Sequence, residues 1–105
     1  MSGTTRRQRL QEMLREDPTD PFLRYGLAMD YAGAGEHEAA AECFRELIRT
    51  SPEYVAAYLH AAKAMQEVGR EEEARDVARA GVATARRVGD EHAASELEFF
   101  LDALG

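Results

Sequence analysis

Cysteine occurs once in this chain, as Cys43. A single thiol excludes an intrachain disulfide and leaves no cysteine set of the kind that holds structural zinc. Proline is scarce too, with three residues in 105, and no stretch reads as a strand. No apolar run has the length of a signal-peptide core or a membrane span, and the opening MSGTTRRQRL is polar. These absences give a cytoplasmic address by default. The length is that of one domain, residues 1–105, with a single modest core, and the starting Met is that expected of a complete protein.

Positive charge is also in short supply. The formal net charge is -7, and it is uneven: Arg6, Arg7, Arg9 and Arg15 against Glu12 and Glu16 give the first sixteen residues +2, leaving -9 for the rest. Nucleic acid and anionic membrane are therefore poor partners, because neutralisation of phosphate by Lys and Arg supplies most of that binding. Arg6, Arg7 and Arg9 are expected on a solvated helix face. What is abundant is alanine, within a composition 45 % apolar and 31 % charged that favours helices.

The stretch AGAGEHEAAAECF, Ala32 to Phe44, has two glycines before an acidic helical run. A dinucleotide-binding loop needs a third glycine where Glu38 stands, a preceding strand, and a helix N-terminus free to attract anions. Glu36 and Glu38 suit the positive end of the helix dipole but repel phosphate. Leu23, Leu27 and Tyr31, four apart, make the preceding segment a helix. The stretch reads as a turn between two helices.

Pro18 to Ser51 aligns with Pro52 to Ala85 without a gap, a period of 34 residues, with Pro18/Pro52, Ala28/Ala62, Gly35/Gly69 and Ala40/Ala74 identical. Turn and close-packing positions are where residue choice is most restricted. The apolar columns follow the period: Leu10, Met13 and Leu14 fall on Phe44, Leu47 and Ile48, then on Ala78, Gly81 and Val82. Gly35 recurs and is expected to end its helix in a left-handed conformation, whereas Gly33 faces Glu67 in the alignment and needs no special backbone.

Leu27, Ala28, Tyr31, Gly35, Ala40, Phe44 and Pro52 resemble the tetratricopeptide repeat, and Tyr58, Ala61, Ala62, Gly69 and Ala74 continue the pattern. The second repeat departs from it with Met65 and Ala78 where larger rings are usual, and the first has Arg24 where the second has Tyr58. The resemblance covers roughly Arg6 to Val88. It implies an all-α, right-handed α-solenoid of antiparallel helix pairs: an N-terminal half repeat (5–16), two full repeats (21–52 and 53–88) and a C-terminal capping helix (90–104). GDEHAASELEFFLDAL looks like the closing helix of short stand-alone bacterial proteins of this family. Small residues then let paired helices approach, while Tyr31, Phe44, Leu47 and Tyr58 fill the space between hairpins.

Six helices are expected, near Thr5–Glu16, Pro21–Ala34, Glu36–Thr50, Glu53–Val68, Arg70–Val88 and Glu91–Leu104. Thr5 with Gln8 fits a capping box, Asp20 precedes a first-turn proline, and Asp90 can cap the last helix. Leu97, Phe100, Leu101 and Leu104 make an apolar stripe on that helix, with Glu91, Glu96, Glu98 and Asp102 off it.

No catalytic, cofactor or metal site is expected. His37, His60 and His92 include no pair at helical spacing, and His37 is expected to pack or face solvent. Cys43 reads as a partly buried, inert thiol. His92 with Glu96, and the run Glu71, Glu72, Glu73 opposite Arg75 and Arg79, read as surface ion pairs.

The resemblance places function on the inner face, formed by the first helix of each repeat. There it would set Phe22, Tyr25, Met29 and Gly33, then Leu59, His60, Lys63 and Glu67, an apolar patch with a polar end suited to a peptide or helix of a partner protein. The family's clamp for a terminal carboxylate is missing, since Tyr25, Met29 and His60 occupy the corresponding positions. A non-catalytic protein-interaction module is the leading reading. A homo-oligomer whose groove is closed by self-packing stands beside it, and a small enzyme is the third.

Overall fold

The structure, a computed structural model, describes residues 5–105 and contains six α-helices: α1 (Arg6–Glu16), α2 (Pro21–Gly33), α3 (His37–Thr50), α4 (Ala56–Glu67), α5 (Glu71–Arg87) and α6 (Glu91–Leu104). Among the described residues there is no strand. The chain is an all-α helical-repeat solenoid in which α2 pairs with α3 and α4 with α5, each pair stacking on its neighbour. The result is elongated, 49 × 28 × 19 Å.

Helix starts follow from side chains that satisfy free backbone N–H groups. The Thr5 hydroxyl accepts from Gln8 N at 3.1 Å while Gln8 Oε1 accepts from Thr5 N at 2.9 Å. Asp20 Oδ1 accepts from Phe22 N at 2.9 Å, with Pro21 opening α2, and Asp90 Oδ1 accepts from Ala93 N at 3.0 Å.

The expected start of α4 at Glu53 is wrong by three residues. Tyr54 stands where α2 has the capping Asp20, and no side chain caps α4. A tight turn forms instead, in which Tyr54 N donates to Ser51 O, Ala57 N to Tyr54 O and Tyr58 N to Val55 O. The Tyr58 hydroxyl closes this turn by donating to the Pro52 carbonyl at 2.6 Å. One period earlier, Arg24 Nη2 donates to the Pro18 carbonyl at 2.9 Å. The departure noted at Arg24 thus keeps the contact and changes the donor.

Gly35, Gly69 and Gly89 have φ of 79°, 84° and 83°. Each ends a helix with the same pair of bonds, for example Gly35 N to Ala32 O and Glu36 N to Tyr31 O, which satisfies carbonyls that the helix leaves free. Gly33 is an ordinary helical residue, as expected.

The main core joins Ala28, Ala40, Phe44, Leu47, Tyr58 and Met65 with Leu97 and Phe100 of α6. Its tightest point is Gly81. A Cβ there would lie 2.6 Å from Tyr58 Cβ and 2.9 Å from Leu97 Cδ1. The gap that Gly81 leaves in the apolar column opposite Leu47 is where α4 and α6 press against α5.

Helix α1 makes a smaller cluster through Leu10, Leu14 and Leu27, with Tyr31 at its edge. Met13, aligned with the fully buried Leu47, is 44 % exposed, because α1 packs mainly on α2 and no helix pair covers its other side. Arg7 does not lie on a solvated face. Its guanidinium donates to Asp30 at 2.9 Å and Glu36 at 2.8 Å and sits 4.2 Å above the Tyr31 ring, tying α1 to the α2–α3 joint.

The run at Glu71 also departs from expectation. Only Glu72 pairs as supposed, with Arg75 at 2.9 Å. Glu73 reaches back to Arg45 of α3, whose Nε donates to it at 3.1 Å, and Arg70 meets Glu38 at 2.7 Å. Arg79 pairs with Asp76.

Two substitutions separate helix propensity from packing. Gly81→Ala is expected to lower stability by roughly 1–3 kcal/mol in urea unfolding, because the obstructing atom is a Cβ that no rotamer change can move. Gly33→Ala, exposed and with no atom within 4 Å of the added Cβ, is expected to raise it by about 0.5 kcal/mol in the same measurement.

Candidate protein-binding face

Arg24 apart, every arginine in the described helices and caps lies in α1, α3 or α5 or at the Arg70 cap. Helices α2, α4 and α6 carry mainly alanine, leucine and aromatic residues, with His60, His92, Lys63 and several carboxylates, and they share one face. On it the Tyr25 ring of α2 packs at 5.4 Å from Tyr54 and 6.0 Å from His60, while His60 stacks on Phe44 at 6.1 Å with 18° between planes.

Burial raises the Tyr25 hydroxyl above its ordinary value, with neighbouring Tyr54 adding to it, and burial likewise raises Tyr54. His60 is pushed the other way. Loss of water around the imidazole disfavours its protonated form, the Lys63 ammonium adds to the effect, and Glu96 opposes it weakly.

Three hollows run along this face. The largest, about 410 Å³, lies between α4 and α6, with Leu59 and Lys63 on one bank and His92, Glu96, Phe99 and Ala103 on the other. A second, about 210 Å³, continues it toward the N-terminal ends of the two helices past His60 and Ala93. The third, about 150 Å³, is bounded by Ala32, His37, His60, Lys63 and Glu67. All three histidines and Lys63, the one lysine of the chain, therefore border the same surface. His37 Nε2 lies 3.7 Å from Glu67 and His92 Nε2 3.5 Å from Glu96.

Apart from Gly33, which borders none of the hollows, the residues singled out from sequence are distributed unequally. Leu59 borders the two larger hollows, His60 the two smaller, Lys63 the largest and the smallest, and Glu67 the smallest. Tyr25 and Met29 are half-buried, pack against the main core and border none of the three hollows. Phe22 is 71 % exposed at the start of α2 and borders none of the three. The contribution of α6 escaped the sequence reading, which treated that helix as a cover. Its signal was Phe99, the one large apolar residue off the Leu97–Phe100–Leu101–Leu104 stripe, and it is 77 % exposed.

Cys43 is half-buried and its thiol is raised by loss of solvent, which outweighs the opposing pull of Arg24 and Arg7. Among the described residues no group of His, Cys, Asp and Glu is placed to hold a metal ion. No described helix is long and apolar enough to cross a membrane.

The depressed His60 value sets a sign for stability against pH. The unfolded chain binds the proton more readily, so stability falls as pH drops through the ordinary histidine value of 6.5 toward the lower folded value. An NMR titration of the His60 ring is expected to give a midpoint below 6.5, and His60→Gln to flatten the acid limb of a stability–pH curve over that window.

Comparisons with known proteins agree with this architecture. The family profile for the tetratricopeptide repeat matches residues 31–95. A TPR repeat-containing protein of Pseudomonas aeruginosa is 36 % identical over 95 residues, 90 % of each chain. Among solved structures, a Bordetella parapertussis protein superposes with a TM-score of 0.82 at 30 % identity, covering 96 % of this chain and 88 % of that one. A tetratricopeptide repeat domain protein of Salinibacter ruber gives 0.77 at 33 % identity, covering 83 % and 88 %. These relatives are bacterial, and the fold they share generally serves as a protein-interaction module. With its 34-residue period, its glycine-ended helix pairs and these relatives, the chain belongs to the tetratricopeptide repeat family.

Proposed function

We propose that this protein is a non-catalytic cytoplasmic module that binds a peptide or helix of a partner protein on the concave face lined by α2, α4 and α6. One observation carries the reading: a hollow of about 410 Å³ between α4 and α6 with Phe99 standing exposed on its wall. Solvent-exposed aromatic surface beside a concave apolar site is what partner proteins use as an anchor. In this reading α1 is a half repeat and α6 a cap that doubles as one bank of the groove. Leu59 and Phe99 supply apolar contact, His60, Lys63 and Glu67 supply polarity, and Tyr25 and Met29 extend the face along α2. Phe22 offers a separate apolar point at the start of α2.

The test is a displayed peptide library selected on the wild-type protein, followed by affinity measurements of the selected peptides. Phe99→Ala removes an exposed ring and leaves the core intact, so its circular dichroism is expected to be unchanged. Peptides are expected to lose about tenfold in affinity on that substitution. Peptides that bind the variant as tightly overturn the assignment to this groove. A mass that doubles with concentration for wild type but not for Phe99→Ala gives the face to a second copy of the chain instead.

A further inference from the structure

We infer that Lys63 makes this face selective for partners that place an aspartate or glutamate side chain beside the apolar residue they insert between α4 and α6. The inference rests on the binding reading above and adds the chemistry of the partner.

Lys63 stands between two hollows, bordering both the largest and the smallest. It is the only lysine in the sequence, and α4 and α6 contain no arginine. Two carboxylates are close enough in the fold to have neutralised it. Glu67 follows it by one helical turn, but with the lysine on the N-terminal side, the weaker order for such a pair, and its carboxylate lies toward His37. Glu96, across the groove, lies toward His92. Among the described residues no carboxylate comes within 4.0 Å of the Lys63 ammonium.

No arginine or second lysine borders the three hollows. His60, one turn before Lys63 on α4, is disfavoured from protonating by burial and by Lys63 itself. Those charges of the chain's net -7 that lie more than about 8 Å from Lys63 oppose an acidic partner only weakly, because they are largely screened at physiological salt, whereas Glu96 and Glu67 border the hollows themselves.

The test uses the intact protein and the peptide selection at pH 7.5, with the random segment inside a fixed flank so that no free C-terminus is presented. Selected sequences are expected to carry Asp or Glu next to a large apolar residue. As amidated synthetic peptides they are expected to weaken about fivefold against Lys63→Met and at least about tenfold against Lys63→Glu. Changing the peptide acid to Lys is expected to restore binding to Lys63→Glu. Both variants alter an exposed side chain, and circular dichroism checks the fold. Peptides that need Phe99 but are indifferent to Lys63→Glu, or that lack an acid, overturn the selectivity and leave the groove standing. Binding that vanishes on amidation overturns the side-chain assignment in favour of a terminal carboxylate. Absence of any Phe99-dependent peptide overturns both readings.

Discussion

The solenoid depends on how near α5 comes to α4. At Gly81 the backbone of α5 lies directly on the root of Tyr58, and Leu97 of α6 closes over the same spot. Three helices meet at a residue without a side chain. The alanines of the pairs, Ala28 against α3 and Ala62 against α5, extend that closeness along the stack, and all of them are fully buried. Close approach of backbone to backbone in such an interface adds to the dispersion and burial supplied by Phe44, Leu47, Met65 and Leu97, which explains how a chain this rich in alanine holds an ordered core.

Close packing on one side shapes the electrostatics of the other. With α2, α4 and α6 occupied by small and aromatic residues, the charged residues are carried mainly by α1, α3 and α5. There Arg45 binds Glu42 and Glu73, and Arg70 binds Glu38. These pairs are partly exposed and individually weak. Their larger effect is on distribution. Most arginines of α3 and α5 are spent against acids of those two helices, while Arg86 pairs with Glu98 of α6 and Arg87 with Glu53, so the opposite face is left with one lysine, three histidines and a few carboxylates. Recognition there is set by few charges, each of which therefore counts.

Much of this was legible in the sequence, because it is written locally or periodically. Thr5, Asp20 and Asp90 act on N–H groups two or three residues away, and Gly35 and Gly69 recur at the 34-residue spacing. The first turn of α4 was not legible, since Tyr54 replaces a capping aspartate and the turn is closed by a hydroxyl four residues further on. Arg7 was misjudged because its partners, Asp30 and Glu36, become neighbours only once α1 lies across the joint. On the candidate face, the four positions taken from α4 border the hollows. Phe99 was missed because its exposure depends on the rotation of α6, which Leu97 and Phe100 fix from inside the core.

The turns differ in kind along the chain. Pro18 and Pro52 introduce α2 and α4, each opening a new pair, whereas Gly35 and Gly69 fold the second helix of a pair back on the first. Gly89 is of the second kind, yet it follows α5, the helix that completes a pair. The chain is thereby punctuated: proline says "add a layer" and glycine says "turn back". Helix α6 obeys the glycine and lies along α5, touching α4 only along one edge. Grafting further repeats onto this scaffold would thus begin at the Gly89–Asp90 joint, the one place where a new pair would open on a glycine instead of a proline.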